Sequence, residues 1–412
     1  MVLHKETNKE IDMKVIEEIA AHFGIFVMLD GTISVPNWDS VLKNYEEFRQ
    51  LAEKETTSRW HQERNMLTHT KMVCEKMAEY IGQAQHLSDE YRLILMLAAM
   101  FHDVGKCKCQ NSPEGKLLSN GHPLISERIC RKLLWGLDVV NRERICEMVR
   151  WHDLYCSSNI SDRKLKTKLN SLSMWMFLHT DMLFMLWKAD DHGSLKDPEL
   201  EGSSEGMIER VKNIQHNCEF HHIDIKNLSS DFTIYVMCGL PGSGKSTWCS
   251  ENLPDLPVIS RDLIREELGM TEKGVKFMGT PEQEDEVSRI SDERVIEFCK
   301  AKQSFIYDNM NSREKYRRSF YEKVKRYKPV VRYVYLEVMD LELLKMRRPE
   351  IADKGPSVFE DMVYKMEFPR PDEYDSIDIY QDLSDNSVST CEQHEFGVLH
   401  LQKYIEKSKT IR

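Results

Sequence analysis

One octapeptide, Gly239-Leu240-Pro241-Gly242-Ser243-Gly244-Lys245-Ser246, constrains this chain more than any other stretch. It fits the pattern GxxxxGK followed by Ser or Thr, it directly follows the apolar run Phe232–Cys238, and it opens a helical stretch. A phosphate needs converging backbone N–H groups beside a helix N-terminus, and glycines let the chain bend closely enough to provide them. Strand, tight loop and helix must therefore follow one another here. Gly239, Gly242, Ser243, Gly244 and Thr247 are expected to line a phosphate cradle. In it Lys245 would reach the β and γ phosphates of ATP or another NTP, and the Ser246 hydroxyl would ligate Mg²⁺.

The surrounding pattern agrees. β-rich runs at Phe232–Cys238, Pro257–Ser260, Gln303–Asp308 and Val330–Val338 alternate with helical stretches, which predicts an α/β domain built on a parallel sheet. Asp262, just after the second run, falls where ligands collect at the edge of such sheets and is a candidate base for an acceptor hydroxyl. Arg265 lies one helical turn further on and could take an acceptor phosphate. An N-capping Asp with a solvated Arg is the plainer alternative for such a pair. Between Arg313 and Arg332 stand nine Lys or Arg against two Glu, with Tyr316, Phe320, Tyr321 and Tyr327 interleaved. That stretch reads either as a track for a phosphate backbone or as a solvated helix face with its aromatics in the core.

The N-terminal half carries a different signal. From Asn65 to about Gly193 apolar residues recur at three and four, so this half reads as all-α. Leu93–Phe101 is a fully apolar helical run that leads straight into His102-Asp103-Val104-Gly105-Lys106. His69 continues the face of Met66, Val73 and Met77; His152 follows Ile145, Met148 and Val149; Asp190 follows Leu183, Leu186 and Trp187. A lone histidine on an apolar face is commonly a hydrogen-bonded core residue, but a buried aspartate needs a partner. Several such residues together point to metal ligation, with His179 a rival on the face of Asp190.

Length and charge limit the reading further. A chain of 412 residues exceeds what one core usually serves, and polar sequence from Asp197 to Asp231 marks a boundary. The predicted organisation is residues 1–60 with no interpretable motif, 61–225 helical, and 226–412 α/β. A net charge of −11 means that any nucleic acid must be held by a local basic groove. Eleven cysteines without a CxxC pair are expected to be reduced thiols. With no apolar run long enough to span a bilayer and no secretory pattern, the expected location is the cytoplasm, without a membrane partner.

Two family resemblances sharpen these expectations. The loop with Thr247-Trp248, followed by Arg261-Asp262 and Arg265, resembles the 5′-OH polynucleotide kinases of phage and bacterial end-healing enzymes. That resemblance implies Asp262 as general base and Arg265 on the acceptor phosphate. Asp308-Asn309-Met310-Asn311 resembles the family's Asp-Asn-Thr-Asn segment, with Met310 in place of Thr, and implies acceptor binding by Asn311. The family's lid arginines correspond to Arg347 and Arg348, either of which could cover the phosphates, because their usual spacing is not reproduced.

The series His69, His102-Asp103 with Gly105-Lys106, Gly121-His122, His152 and Asp190 resembles the HD phosphohydrolase superfamily over about residues 65–195. It implies that His69, His102, Asp103 and Asp190 hold one divalent ion. His122 and His152 would hold a second, bridged by Asp103, with Lys106 neutralising phosphate charge. Mixed imidazole and carboxylate ligands suit Mn²⁺, Ni²⁺, Co²⁺, Zn²⁺ or iron. An HD-type helical domain followed by a P-loop kinase domain resembles the bacterial bifunctional end-healing enzymes. The resemblance implies RNA or DNA ends as substrates: a 5′-OH to be phosphorylated and a 3′-phosphate or 2′,3′-cyclic phosphate to be hydrolysed, with a ligase acting downstream. Two rivals are an HD nucleotidase joined to a small-molecule or nucleotide kinase, and a non-catalytic sensor switched by NTP.

Overall fold

The structure, a computed structural model, describes residues 13–55, 59–112, 117–156, 161–174, 180–200, 203–216, 231–272, 275–276, 279–370, 373–382 and 394–395. His179 lies outside them. The chain divides into two compact units, Met1–Phe220 and His221–Arg412.

In the first unit, helices α1 (13–22), α2 (Trp38–Asn44) and α3 (Glu46–Ala52) precede α4 (Met66–Gln83) and α5 (Asp89–Phe101). Side chains start several of them: Asn65 accepts a hydrogen bond from Thr68 N, and Ser88 accepts from Tyr91 N ahead of two acidic residues in the first turn of α5. A helix apolar on every side must be central, and all of Leu93–Phe101 is buried. Burying each large side chain there contributes roughly 1.5–3 kcal/mol relative to exposure. Phe101 meets Phe23 and Phe48 edge-on, with centroids 5.5 and 5.7 Å apart, so the segment without a motif supplies core to this unit.

A two-residue hairpin, β1 (Gln110–Asn111) with β2 (Leu117–Leu118), interrupts the helices. Then come α6 (His122–Leu133), α7 (Val139–Arg150), α8 (Asp162–Met174), α9 (Thr180–His192) and α10 (Ser203–His216). α4 packs on α5 and α9, and α7 packs on α5 and α6. Buried Arg131 of α6 donates to Glu127 and to Glu143 of α7, at 2.7 Å in each case. Breaking such a pair would strand a buried charge, so it fixes α6 against α7.

The second unit alternates strand and helix: β3 (Thr233–Cys238), α11 (Lys245–Asn252), β4 (Val258–Ser260) and α12 (Arg261–Glu267). A hairpin of β5 (Thr271–Glu272) and β6 (Val275–Lys276) leads to α13 (Pro281–Lys300), β7 (Phe305–Asp308), α14 (Glu314–Val324) and β8 (Val330–Val338). α15 (Leu341–Arg347), α16 (Pro349–Ala352), α17 (Val358–Tyr364), β9 (Ser376–Asp382) and β10 (His394–Glu395) complete it. The sheet order is β10-β9-β8-β3-β7-β4, parallel except for β10. The four strands expected from sequence are present. β9 and β10 were not anticipated, although Ser376–Ile379 alternates polar and apolar side chains. A parallel sheet carries its loops to one edge, which places the loops after β3, β4 and β7 together.

Among the described residues no helix is long and apolar enough to cross a membrane. Nine cysteines fall among them and all are free thiols.

Candidate active sites

At the carboxyl edge of the β-sheet, Gly239, Gly242 and Gly244 all have positive φ, a conformation that side chains other than glycine rarely adopt. A Cβ at Gly239 would also stand 2.3 Å from the Leu336 carbonyl oxygen, so the loop runs hard against β8. Lys245 at the start of α11 folds back, and its Nζ donates to the Gly239 and Leu240 carbonyls at 3.0 and 2.9 Å. Burial pushes the ammonium's pKa down, while the carboxylate of Asp308 opposes that shift. Ser246 Oγ donates to Asp308 Oδ2 at 3.0 Å, which puts a hydroxyl and a carboxylate side by side as a Mg²⁺ site requires. The Ser243 hydroxyl is buried without a hydrogen-bond partner inside the cradle.

A cavity of about 1830 Å³ opens over this loop, and Lys245, Asp262, Arg265, Asn311, Arg347 and Arg348 all line it. Asp262 follows β4 with its side chain 43% exposed, and its Oδ1 accepts from Arg265 Nη1 at 2.8 Å. Arg265 is not a solvated arginine. Its Nε and Nη2 each donate to a different oxygen of Glu284, both at 2.8 Å. Arg261 adds a third contact to Glu284 at 2.7 Å and donates to Ser288 Oγ. The hydrogen bond from Arg265, with help from Arg261, holds the Glu284 carboxyl down at about 2. Glu284, in the first turn of α13, had no signal in the sequence beyond an acidic run.

Asn311 has φ +44°, and its Nδ2 donates to the Met237 carbonyl, so its amide ties the β7 loop to β3. Arg347 Nη1 donates to the Gly242 carbonyl at 3.1 Å, whereas Arg348 pairs with Glu350. The basic stretch divides in the same way. Arg317 is buried against Glu373, Lys323 pairs with Asp292 and Arg332 with Asp378, while Phe320 stacks on Tyr307 at 4.2 Å. Of these cations Arg317 is buried, while Lys323 and Arg332 are paired but partly exposed.

In the helical unit, His69 (α4), His102 and Asp103 (after α5), His122 (start of α6), His152 (after α7) and Asp190 (α9) meet at one point, all buried. Gly105 makes this possible: a Cβ there would lie 2.5 Å from the His122 carbonyl oxygen and 2.4 Å from Ser126 N. Asp103 stands between two groups. Its Oδ2 is 3.5 Å from His69 Nε2 and 3.4 Å from His102 Nε2, and Asp190 Oδ1 is 3.1 Å from His69 Nε2. Its Oδ1 is 3.0 Å from His122 Nε2 and 3.3 Å from His152 Nε2. Lys106 Nζ donates to Asp103 Oδ2 at 2.6 Å.

Two pairs of imidazoles approach nitrogen to nitrogen: His69 and His102 at 3.2 Å, His122 and His152 at 3.1 Å. With Nδ1 carrying the proton on both rings, the two Nε2 lone pairs would face one another across such gaps, which a proton or a metal cation held between them relieves. Donors held about 2.1 Å from a common ion stand roughly 3.0–3.4 Å apart, the range seen here. Asp103 Oδ1 is buried without a hydrogen-bond partner, which also suits a cation as its missing neighbour. These residues fit a pair of transition-metal ions.

Burial lowers the His102 pKa, but the Asp103 charge and hydrogen bonds to Asp103 and Asp190 outweigh it and push it up to about 10. Burial raises the carboxyls of Asp103 and Asp190, yet Lys106 and His102 hold the first, and His102 and His69 the second, well below the usual range. Burial, with the nearby Lys106 charge, pushes His122 down. Two neighbours escaped the sequence reading: buried Glu63, 3.4 Å from His69 Nδ1, and His61, 3.6 Å from the same Glu63 oxygen. They precede α4, where helical periodicity cannot mark them.

A family model described as an AAA domain matches residues 234–363. A solved structure from Chloroflexus aurantiacus J-10-fl, provisionally assigned as a kinase, is similar at 12% identity and a TM-score of 0.31, covering 44% of this chain and 98% of that one. At that score the likeness carries no weight. No curated protein matches the chain. The matched family model, the glycine loop and the parallel sheet together make the second unit a P-loop domain, whose cradle suits a nucleotide phosphate with Mg²⁺.

Proposed function

We propose that this protein heals broken nucleic-acid ends, with a 5′-OH polynucleotide kinase in the P-loop unit and an HD-type phosphohydrolase in the helical unit. One observation carries the reading: a single chain combines a phosphate cradle facing a carboxylate–arginine pair with an Asp103 whose two oxygens each serve two imidazoles. The first set suits phosphoryl transfer to a hydroxyl, and the second suits hydrolysis of a phosphoester.

In the kinase, the γ-phosphoryl of ATP passes to the acceptor oxygen, ADP leaves, and Asp262 takes the hydroxyl proton. Lys245 exchanges its loop carbonyls for phosphate oxygens. Of the two lid candidates, Arg347 has the looser tether, since Arg348 is ion-paired to Glu350. Arg265 orients Asp262 and keeps further N–H groups for the acceptor phosphate, while Asn311 shapes the loop beneath.

In the helical unit, His69, His102, Asp103 and Asp190 would hold one divalent ion, and Asp103, His122 and His152 a second. Such ions supply Lewis acidity and lower the pKa of water. Lys106 keeps Asp103 ionised and places positive charge beside the phosphoester. RNA or DNA ends are the partners, and the 5′-phosphate and 3′-OH produced are what a ligase consumes.

The test is one oligonucleotide bearing a 5′-OH and a 2′,3′-cyclic phosphate, incubated with ATP, Mg²⁺ and each of Mn²⁺, Ni²⁺, Co²⁺, Zn²⁺ and Fe²⁺. Both ends should be converted. Turnover of a free nucleotide or small alcohol with no conversion of the oligonucleotide would overturn the reading.

A further inference from the structure

The four imidazoles of the cluster, His69, His102, His122 and His152, all present Nε2 to its centre, and three do so for one shared reason. His102, His122 and His152 each bond Nδ1 to the carbonyl three residues back, Ala99 at 2.8 Å, Ser119 at 2.7 Å and Val149 at 2.8 Å. A carbonyl only accepts, so Nδ1 carries the proton and Nε2 is left as the ligating nitrogen. His69 lacks this arrangement. The Met66 carbonyl, three residues back, accepts instead from Thr70 Oγ1 at 2.9 Å. What His69 Nδ1 faces is Glu63 Oε1 at 3.4 Å, an electrostatic contact longer than a full hydrogen bond.

Glu63 is an expensive group to bury. It is 2% exposed, its Oε1 accepts from Leu195 N at 2.8 Å, and its Oε2 is buried without a hydrogen-bond partner. A neutral carbonyl would fix the tautomer as well, so the charge itself calls for a function. We propose that Glu63 is the positioning residue for His69: it holds the Nδ1–H tautomer, aims Nε2 into the cluster, and adds negative charge to one of two metal positions. This rests on reading the cluster as a metal centre. The positions are consequently unequal. The His69 side has Asp190, a share of Asp103 and Glu63 behind it, whereas the His122 and His152 side has only its share of Asp103. Carboxylates behind ligating histidines contribute about 10–100-fold in metal affinity.

The experiment uses the full chain, wild type and Glu63→Gln, stripped with chelator and dialysed against graded free Co²⁺, with bound metal read by elemental analysis. Glutamine keeps a carbonyl for Leu195 N, and the melting temperature checks the fold. The wild type should take up two ions with separated affinities, and Glu63→Gln should weaken the tighter by about 10–100-fold while leaving the weaker unchanged. Unchanged affinities for both ions, or equal losses at both, would overturn the proposal while sparing the metal centre. A wild type that binds no Co²⁺ or other transition metal would sink the metal-centre reading itself. Should Glu63→Gln fail to fold, ¹⁵N spectra of the wild type loaded with Zn²⁺ decide: His69 ligating through Nδ1 refutes the proposal, and ligation through Nε2 with a protonated Nδ1 supports it.

Discussion

Arg265 donates from Nη1 to Asp262 Oδ1 at 2.8 Å, and its Nε and Nη2 are both committed to Glu284 at the same distance. The arginine is therefore held from two sides before any acceptor arrives. If Arg265 grips the acceptor phosphate as proposed, its removal should raise the acceptor KM more than the ATP KM, because it would contact one substrate only. The Asp262 contact adds a second effect: Arg265→Ala frees the proposed base, and kcat should fall by about 10²-fold, the scale set by a misplaced reacting group. Steady-state kinetics with oligonucleotide and ATP varied in turn separate the two. A KM effect with kcat intact would leave Arg265 a binding residue alone.

Glu284 predicts a pH dependence. Its carboxyl sits at about 2 in the folded protein against an ordinary 4.5. A depressed folded pKa gives stability that is fully present above the ordinary value and is lost as pH falls through the folded one. The wild type should thus melt above Glu284→Gln at pH 7, by roughly 2–4 °C for each kcal/mol that the clamp contributes. The gap should narrow as pH falls from about 4.5 toward 2. A gap that stays constant over that range would show that the clamp's charge contributes nothing.

What sequence could disclose follows from how local each feature is. The glycine loop is contiguous, and the apolar run Phe232–Cys238 directly before it marks its strand, so the P-loop unit was legible before any coordinates. The buried cluster was legible because His69 and Asp190 lie on apolar helical faces that period 3.6 exposes, and His152 follows directly on another, that of α7. Glu284 and Glu63 were not legible: one is an acid among acids at a helix start, and the other precedes the helix whose histidine it faces. Their roles arise from contacts across 19 and 6 residues of sequence that no period links. The basic stretch left two readings open, since no local pattern shows that Arg317 finds its partner in Glu373, 56 residues away.

If the chain carries both proposed chemistries, one in each unit, their independence gives a third prediction. Lys245→Ala and Asp262→Ala should each reduce 5′ phosphorylation by about 10²–10³-fold or more, since each removes a group aimed at charge or a proton in the transfer step. Hydrolysis at the 3′ end, which uses residues of the other unit, should persist at the wild-type rate. End-labelling and release of inorganic phosphate report the two reactions in one tube. Retained end-labelling by Asp262→Ala would remove it as the base.

The last prediction concerns Asp103, whose Oδ2 serves His69 and His102 while its Oδ1 serves His122 and His152. A single ion with an open position usually takes three or four protein ligands, and this cluster offers six. If two ions bind, Asp103 is the only ligand they share, so the effects of substitution must differ by position. Asp103→Ala should empty both positions and reduce phosphohydrolase activity to background, because each ion loses a ligand and Lys106 loses its buried counter-charge. His152→Ala touches only the Oδ1 side and should release chiefly one ion. Kinase activity, which belongs to the other unit, should survive in both variants, and far-UV circular dichroism checks that the helical unit still folds. Elemental analysis decides: a wild type that saturates at one transition metal per chain, or an Asp103→Ala protein that still holds two, would exclude a bridging carboxylate.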